Sequence, residues 1–444
     1  MIVKKLHIYK FRNIENLELP LGAKLTFIAG TNGTSKTSLL GLLGQPFIFR
    51  ENNKIIHRAL SGKEFKAKFS EIHHFTEYDD VESIEYRLNL TENFENKVLE
   101  VGGYIRRGED EPEEGKPRLV TGKTRTKDDG NFHLPVVYLG LRRLCPLGEH
   151  DMKDVKINGV DDLYQDSIDF FNREHKKILL NLSEDFVLEK VETPNKKMIG
   201  GKNSEYDSHG LSSGQDNVSQ ILTAILSFKQ LKEKIGDEYK GGLLLVDELE
   251  ATLHPVALEK LIQSLYSYCR DFKLQIIVTT HSTDVLKLGL QPQYRFDTEI
   301  IYLTRSRGKL DYLSKACIDE ISSDMTATPF KDRKKKYNAV CEDDEAKVFL
   351  EVLLDSNLKT RLDIISAQLS GGRLKDIAKS NSFKKITPDT TYFLDGDQKI
   401  HRRSTNTILL PGTSSPEALI WEMMNNLPES DPLPWGRTST FDIN

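Results

Sequence analysis

Four short stretches bring together residue types that could do chemistry. The first, "GTNGTSKTS" at residues 30–38, follows the spacing G-x-x-x-x-G-K-[ST]. In that pattern backbone N–H groups curl around phosphates, the lysine reaches the terminal ones and the hydroxyl holds Mg²⁺. Gly30, Asn32, Gly33, Lys36 and Thr37 suit a nucleotide such as ATP, and Ser35 stands where the pattern has its second glycine. Serine keeps its backbone N–H, so the donor survives; its Cβ costs at most about 1 kcal/mol if the position needs a positive φ. The second stretch, "LLLVDE", sets Asp247 and Glu248 at the end of an apolar run. Thr37 and Asp247 would hold Mg²⁺ while Glu248 orients or deprotonates water, which is the hydrolytic half of a phosphate-loop NTPase. The third is His281 in "TTHS", placed to sense a γ-phosphate. In the fourth, Glu342 after "YNAVC" joins Asp395 and Asp397 of "FLDGDQ" in a hard oxygen set suited to Mg²⁺ or Mn²⁺. D-G-D is also an ordinary solvated turn, but the apolar run before it and Glu342 upstream favour metal.

These residues need elements to hold them. "KLTFIAG" reads as a buried strand and "TSLLGLL" as the start of a helix, so the phosphate loop lies where a strand gives way to a helix N-terminus. The N-terminus "MIVKKLHIYKFRNIENLEL" alternates like a strand, and residues 1–45 read strand, turn, strand, loop, helix. From about 50 to 135 the chain turns polar and Gly-rich, an expected insertion carrying a hairpin or two. "LPVVYLGLRRL" restores a buried strand, and helical spacing resumes over about 160–190. Val218, Ile221, Leu222, Ile225 and Leu226 give a helix behind the Ser/Gly-rich loop "HGLSSGQ". "LLLV" and "LQIIVTT" are apolar enough for parallel strands buried on both faces. Beyond "SSDMTATPFKDRKKK" a second α/β series begins, and its acids fall at the C-terminal ends of expected strands, the usual edge for a site.

At 444 residues the chain is long enough for two or three domains, and 38% hydrophobic with 29% charged residues is a globular composition. A net charge of −5 excludes a globally basic nucleic-acid binder and leaves local basic clusters at 115–127, 331–336 and 401–403. Cys145, Cys269, Cys317 and Cys341 have no C-x-x-C spacing, which points away from zinc and disulfides and fits a reducing cytoplasm. The absence of a long apolar run excludes an expected membrane span or export signal.

Taken in order, the phosphate loop, "LSSGQ", "LLLVDE" and "TTHS" resemble the ABC-type ATPases of the RecF and structural-maintenance-of-chromosomes group. The resemblance implies that Ser213, Gly214 and Gln215 close over ATP bound to a second copy, giving an ATP-dependent homodimer or a higher oligomer built on it. "DELEATLHP" is similar to the D-E-x-E-x-x-L-H-P form of the overcoming-lysogenization-defect (OLD) nucleases and related defence ATPases. The later segment resembles a Toprim domain, with a glutamate after its first strand and D-x-D after a later one; "TSSPEAL" supplies Glu417 as a further metal ligand. The expected fold is therefore α/β: an ABC-type ATPase domain over 1–322, a basic linker over 323–336 and a Rossmann-like Toprim domain over 337–444. The implied function is an ATP-regulated, metal-dependent nuclease in antiphage defence, acting on DNA, or on RNA such as tRNA, with a partner protein of the defence system. Two departures stand out. Ala346 replaces an acidic residue, with Glu345 beside it as a substitute, and the segment offers no equivalent of the family's downstream lysine. They favour an alternative in which a degenerate Toprim domain serves an ATP-switched scaffold that recruits an effector.

Overall fold

The computed structural model describes residues 1–51, 55–106, 116–122, 132–160, 163–180, 185–194, 196–204, 207–291, 293–294, 296–306, 309–313, 318–325, 337–359, 361–380, 390–399 and 406–427. The basic clusters 331–336 and 401–403, Cys317 and most of the expected linker lie outside them. The chain divides into two compact units, Met1–Thr328 and Pro329–Asn444. Helix Ile318–Met325 runs past the expected edge at 322.

In the first unit the apolar runs form the centre of a six-stranded sheet. Its strands lie in the order Lys309–Leu313, Thr298–Ser306, Leu25–Gly30, Leu274–Thr280, Gly242–Val246, Val136–Leu139. All neighbours are parallel except the first two. Because successive side chains point to opposite faces, Phe27, Leu244, Val246, Ile276 and Val278 join one core, and Ile28, Leu243, Leu245, Ile277 and Val136 join another. Both faces are covered, so neither "GLLLV" nor its neighbour shows polar alternation. Helices Gln165–Leu179, Ser213–Ile235 and Pro255–Asp271 supply residues to the first core. Helix Lys36–Gly44 and an antiparallel sheet supply the second.

That antiparallel sheet changes two expectations. The N-terminal alternation is a hairpin, Ile2–Phe11 paired with Ile14–Pro20, turned where Arg12 takes a φ of 54°. The polar stretch after residue 50, expected to carry a hairpin or two, holds the antiparallel strands Glu85–Glu92, Glu95–Arg106 and Lys116–Thr121, which continue the same sheet from Ile2–Phe11. Tyr86, Leu88 and Leu90 alternate into the core beside Leu6 and Ile8, a period-2 pattern the surrounding charges obscure.

The second unit has four parallel strands in the order Leu362–Ser366, Tyr337–Cys341, Thr390–Leu394, Thr407–Leu409. From Tyr337–Cys341 the chain moves to one side and then returns to the other. The crevice between its C-terminal end and that of Thr390–Leu394 is therefore a topological switch point, where open α/β sheets place ligands.

Candidate functional site

The phosphate loop leaves its strand at Gly30, whose φ is 152° and where a Cβ would lie 2.6 Å from the Leu303 carbonyl oxygen. Gly33 follows at φ 77° and Ser35 at φ 63°, ψ 23°. Ser35 thus occupies the left-handed region directly ahead of helix Lys36–Gly44, so the Cβ cost applies, at about 1 kcal/mol. Positive φ at Gly33 and Ser35, alternating with Thr34 between them, turns backbone N–H groups toward a concave nest, and the first turn of a helix adds N–H groups without intrahelical acceptors. Lys36 is 7% exposed and donates from Nζ to the carbonyl oxygens of Gly30 (2.9 Å) and Thr31 (3.0 Å). Burial lowers its pKa, against the opposing pull of Glu248 and Asp247. Arg305 braces the loop from outside, donating to the Gly33 carbonyl oxygen at 2.6 Å. Asn32 is exposed on the same loop.

The acidic strand tip meets this loop. Thr37 Oγ1 donates to Asp247 at 2.9 Å and Thr279 Oγ1 donates to it at 2.6 Å, while Asp247 is 2% exposed. A buried carboxylate facing a threonine hydroxyl at a helix N-terminus is the donor set Mg²⁺ takes with a nucleotide, so the residues present fit that ion. Glu248 is held in the left-handed region, φ 49°, a strained setting for a non-glycine residue. Its N–H donates to Thr279 Oγ1 at 2.7 Å and its side chain stays 39% exposed, with His281 Nε2 3.9 Å from a carboxylate oxygen. Glu248, His281 and Asp247 are thus brought together beside the phosphate loop.

Two residues went unassigned in the sequence reading. Glu250, the third acid of "DELE", accepts the His281 N–H at 2.5 Å and so fixes the start of the histidine loop. Arg143 is 3% exposed; Nη2 donates to the Glu248 carbonyl oxygen (2.8 Å), Nε to Asn217 Oδ1 (2.9 Å), and Nη1 to the carbonyl oxygens of Gly140 (3.1 Å) and Leu139 (3.3 Å). Burial pulls its pKa down to about 10, with Asp247 opposing, so it stays charged at neutral pH. Glu250 could have been found from its spacing. Arg143 could not, because "LGLRRL" looks like surface sequence until the strand is placed.

Asn217 belongs to helix Ser213–Ile235, whose start is "LSSGQ". Ser212 Oγ accepts the Gln215 N–H and the Gln215 side chain accepts the Ser212 N–H, a capping box that explains the serine and glutamine. Ser213 and Gly214 lie against the loop after the acidic strand: Thr252 Oγ1 donates to the Ser213 carbonyl oxygen at 3.1 Å, and a Cβ on Gly214 would be 2.9 Å from the Thr252 carbonyl oxygen.

At the switch point of the second unit acids converge, and Asp343 joins Glu345 and Glu417 of the sequence reading. Asp343, Glu345 and Glu417 each offer an oxygen within 4.8 Å of the others. Glu342 instead turns inward at 8% exposure, accepts the Asp395 N–H at 3.0 Å and lies against Gly371, where a Cβ would be 2.6 Å from its carboxylate. Glu342 therefore fixes the Asp395 backbone, and Asp343, one residue on, takes the outward position. Asp343 also caps helix Asp344–Leu353 by accepting the Ala346 N–H at 2.8 Å. Asp395 is 8% exposed, and its Oδ1 has no hydrogen-bond partner among the described residues. Burial first, then Glu342, Asp343, Glu417 and Asp397, push its pKa up to about 7. Asp397 accepts from Gln398 Nε2 at 3.0 Å, and Lys375 Nζ donates to Gln398 Oε1 at 2.8 Å. A partly buried carboxylate with an unpartnered oxygen and acids around it fits a divalent cation.

The phosphate loop, the Thr37–Asp247 pair, Glu248 and His281 at neighbouring parallel strand tips define a phosphate-loop ATPase domain. Residues 148–286 match the family model described as an AAA ATPase domain. The chain is 38% identical over 82 residues to the DNA replication and repair protein RecF of Proteus mirabilis (strain HI4320), covering 15% of this chain and 23% of that one. It thus spans under a quarter of that curated relative's length. Among solved structures it is similar to the SMC head domain from Thermotoga maritima, with a TM-score of 0.40 and 15% identity over 71% of this chain and 100% of that one. It is also similar to the recombination mediator protein RecF, with a TM-score of 0.38 and 16% identity over 70% of this chain and 98% of that one.

Proposed function

We propose that the chain is an ATP-regulated, divalent-metal-dependent nuclease, an OLD-type ATPase joined to a Toprim domain, acting on DNA in antiphage defence. The observation that carries it is the acidic crevice at the switch point, where Asp343, Glu345 and Glu417 offer mutually close oxygens and Asp395 keeps an unpartnered oxygen near Glu342, Asp343, Glu417 and Asp397. Stability does not explain such crowding, because like charges repel unless a cation neutralises them. Asp395, Asp343, Glu345 and Glu417 would hold the metal, which when bound supplies charge for the leaving oxygen and lowers the pKa of water. Glu342 fixes the Asp395 backbone, and Asp397 is oriented by Gln398 under Lys375. In the first unit Lys36 and the loop amides grip the phosphates, Thr37 and Asp247 hold Mg²⁺, and Glu248 orients water beside His281. Ser213, Gly214 and Gln215, at the start of their helix, would serve ATP on a second copy.

One observation favours the scaffold alternative: Ala346, fully buried, occupies the helix position where an acid would add a ligand. Incubating the purified protein with plasmid DNA and with total RNA, each with Mg²⁺ or Mn²⁺ and with or without ATP, separates the two. Metal-dependent cleavage supports the nuclease, and none on either substrate with partner proteins present refutes it.

A further inference from the structure

The first unit contains a concave surface that the ATPase and metal sites do not use. A cavity of about 600 Å³ lies between the segment Gln45–Phe75 and the strand Lys116–Thr121, which forms one edge of the antiparallel sheet. Its charged lining is Lys66, Lys68 and Arg118, joined by His73 and His74, and among the described residues no carboxylate lines it. Among the described residues none of these three cations forms an ion pair, whereas other lysines of the same loop do: Lys63 pairs with Glu71. Arg50 is near enough that it, Lys68 and Arg118 add to burial in lowering the Lys66 pKa, with Glu64 opposing. Cations gathered without counter-charges repel one another, and an anion removes that repulsion. Aromatic rings sit in the same wall: Phe69 and Phe75 are stacked with centroids 5.0 Å apart, and His73 Nε2 is buried without a partner.

Lys66 also lines a second cavity of about 440 Å³, whose wall includes Lys63, Arg142, Arg143, Lys196 and the Thr37–Asp247 pair. That wall also carries Glu64 and Glu71, so its charge is mixed, and Lys66 and His74 are the residues the two cavities share.

We propose that the cavity walled by Lys66, Lys68, Arg118, His73 and Phe75 binds a single nucleic-acid strand, phosphates on the cations and a base against the aromatic wall. Cationic grooves with ring platforms take strands in this way, and a cavity of about 600 Å³ has room for a base and its phosphates and none for a duplex. This deepens the nucleic-acid reading above and rests on it for the substrate class, but it is tested by binding alone.

The test uses the full chain, with EDTA present for the strand and duplex so that cleavage plays no part and with Mg²⁺ for ATP. Fluorescence anisotropy measures a labelled 20-mer single strand, its duplex and labelled ATP, on wild type and on K66E/K68E/R118E, from 50 to 200 mM salt. Wild type is expected to bind the strand more tightly than the duplex. The variant should lose at least about tenfold in strand affinity, with the log–log salt slope reduced by about 2 as three phosphate contacts disappear, while ATP binding is unchanged. K66Q/K68Q, milder for folding, should lose part of the affinity if the triple variant does not fold. Equal strand affinity and slope in wild type and either folded variant overturns the site. So does a wild type that binds free nucleotide or inorganic phosphate there and no strand. Loss of cleavage with strand binding intact refutes the nuclease reading and leaves the cavity assignment standing.

Discussion

Replacing Arg143 with alanine tests whether the Glu248 turn is held from below. The guanidinium donates to four acceptors, and each buried acceptor left without a donor costs roughly 1–3 kcal/mol. Arg143 lines the 440 Å³ cavity, so water can replace part of what is lost, and the total should fall near the low end, about 2–4 kcal/mol. Thermal or urea unfolding reads that loss. The kinetic consequence is separable. Glu248 sits at φ 49° only while its neighbours hold it, and Arg143 grips its carbonyl oxygen at 2.8 Å. Without that grip the carboxylate should leave the water-orienting position, lowering kcat for ATP hydrolysis by about 10- to 100-fold, the range for misplaced general bases. The KM for ATP should stay within about threefold, because the loop and Lys36 are untouched. Arg143→Lys, with one donor group in place of the fork, should recover only part of the rate. A folded Arg143→Ala protein with wild-type kcat would refute the reasoning.

Three further outcomes follow from the same geometry. Lys36→Ala should abolish ATP binding in a nucleotide titration, despite the intact backbone nest; equal affinity would reduce the loop to a turn. Glu248→Gln should still bind ATP and hydrolyse it slowly, and light scattering with ATP should then report a persistent dimer. Asp395 has a folded pKa of about 7, well above its unfolded value, so between pH 4 and 7 the folded state holds the extra proton and stability falls as pH rises. In EDTA the second unit should therefore melt at lower temperature at pH 8 than at pH 5. Mg²⁺ should restore the loss, and Asp395→Asn should flatten the profile; an unchanged profile in that variant would assign the acidity elsewhere.

Much of this was legible because it rests on runs of one residue type. Leu243–Val246 and Ile276–Val278 are buried on both faces, so their strands are visible without context, and acids at a buried strand's tip mark a site. Ser35 takes the positive φ, 63°, at which the sequence reading expected a Cβ cost and no lost donor. What escaped depends on contacts between distant segments. Arg143 is 74 residues from Asn217 and 105 from Glu248, and nothing local marks it as buried. Which of Glu342 and Asp343 turns inward depends on the Asp395 N–H and on Gly371, neither of which spacing reveals. The hairpins expected within 50–135 are present, but that they extend the N-terminal sheet was not legible, because their partner is the distant strand Ile2–Phe11.

The most direct test of the central claim is phosphodiester cleavage by the double variant Asp395→Ala, Asp397→Ala, measured beside its ATPase rate. The two sites belong to separate units, so cleavage of DNA and RNA with Mg²⁺ or Mn²⁺ should disappear while ATP hydrolysis stays near wild type. Cleavage that persists in the folded double variant would contradict the assignment of the acidic crevice as the nuclease centre.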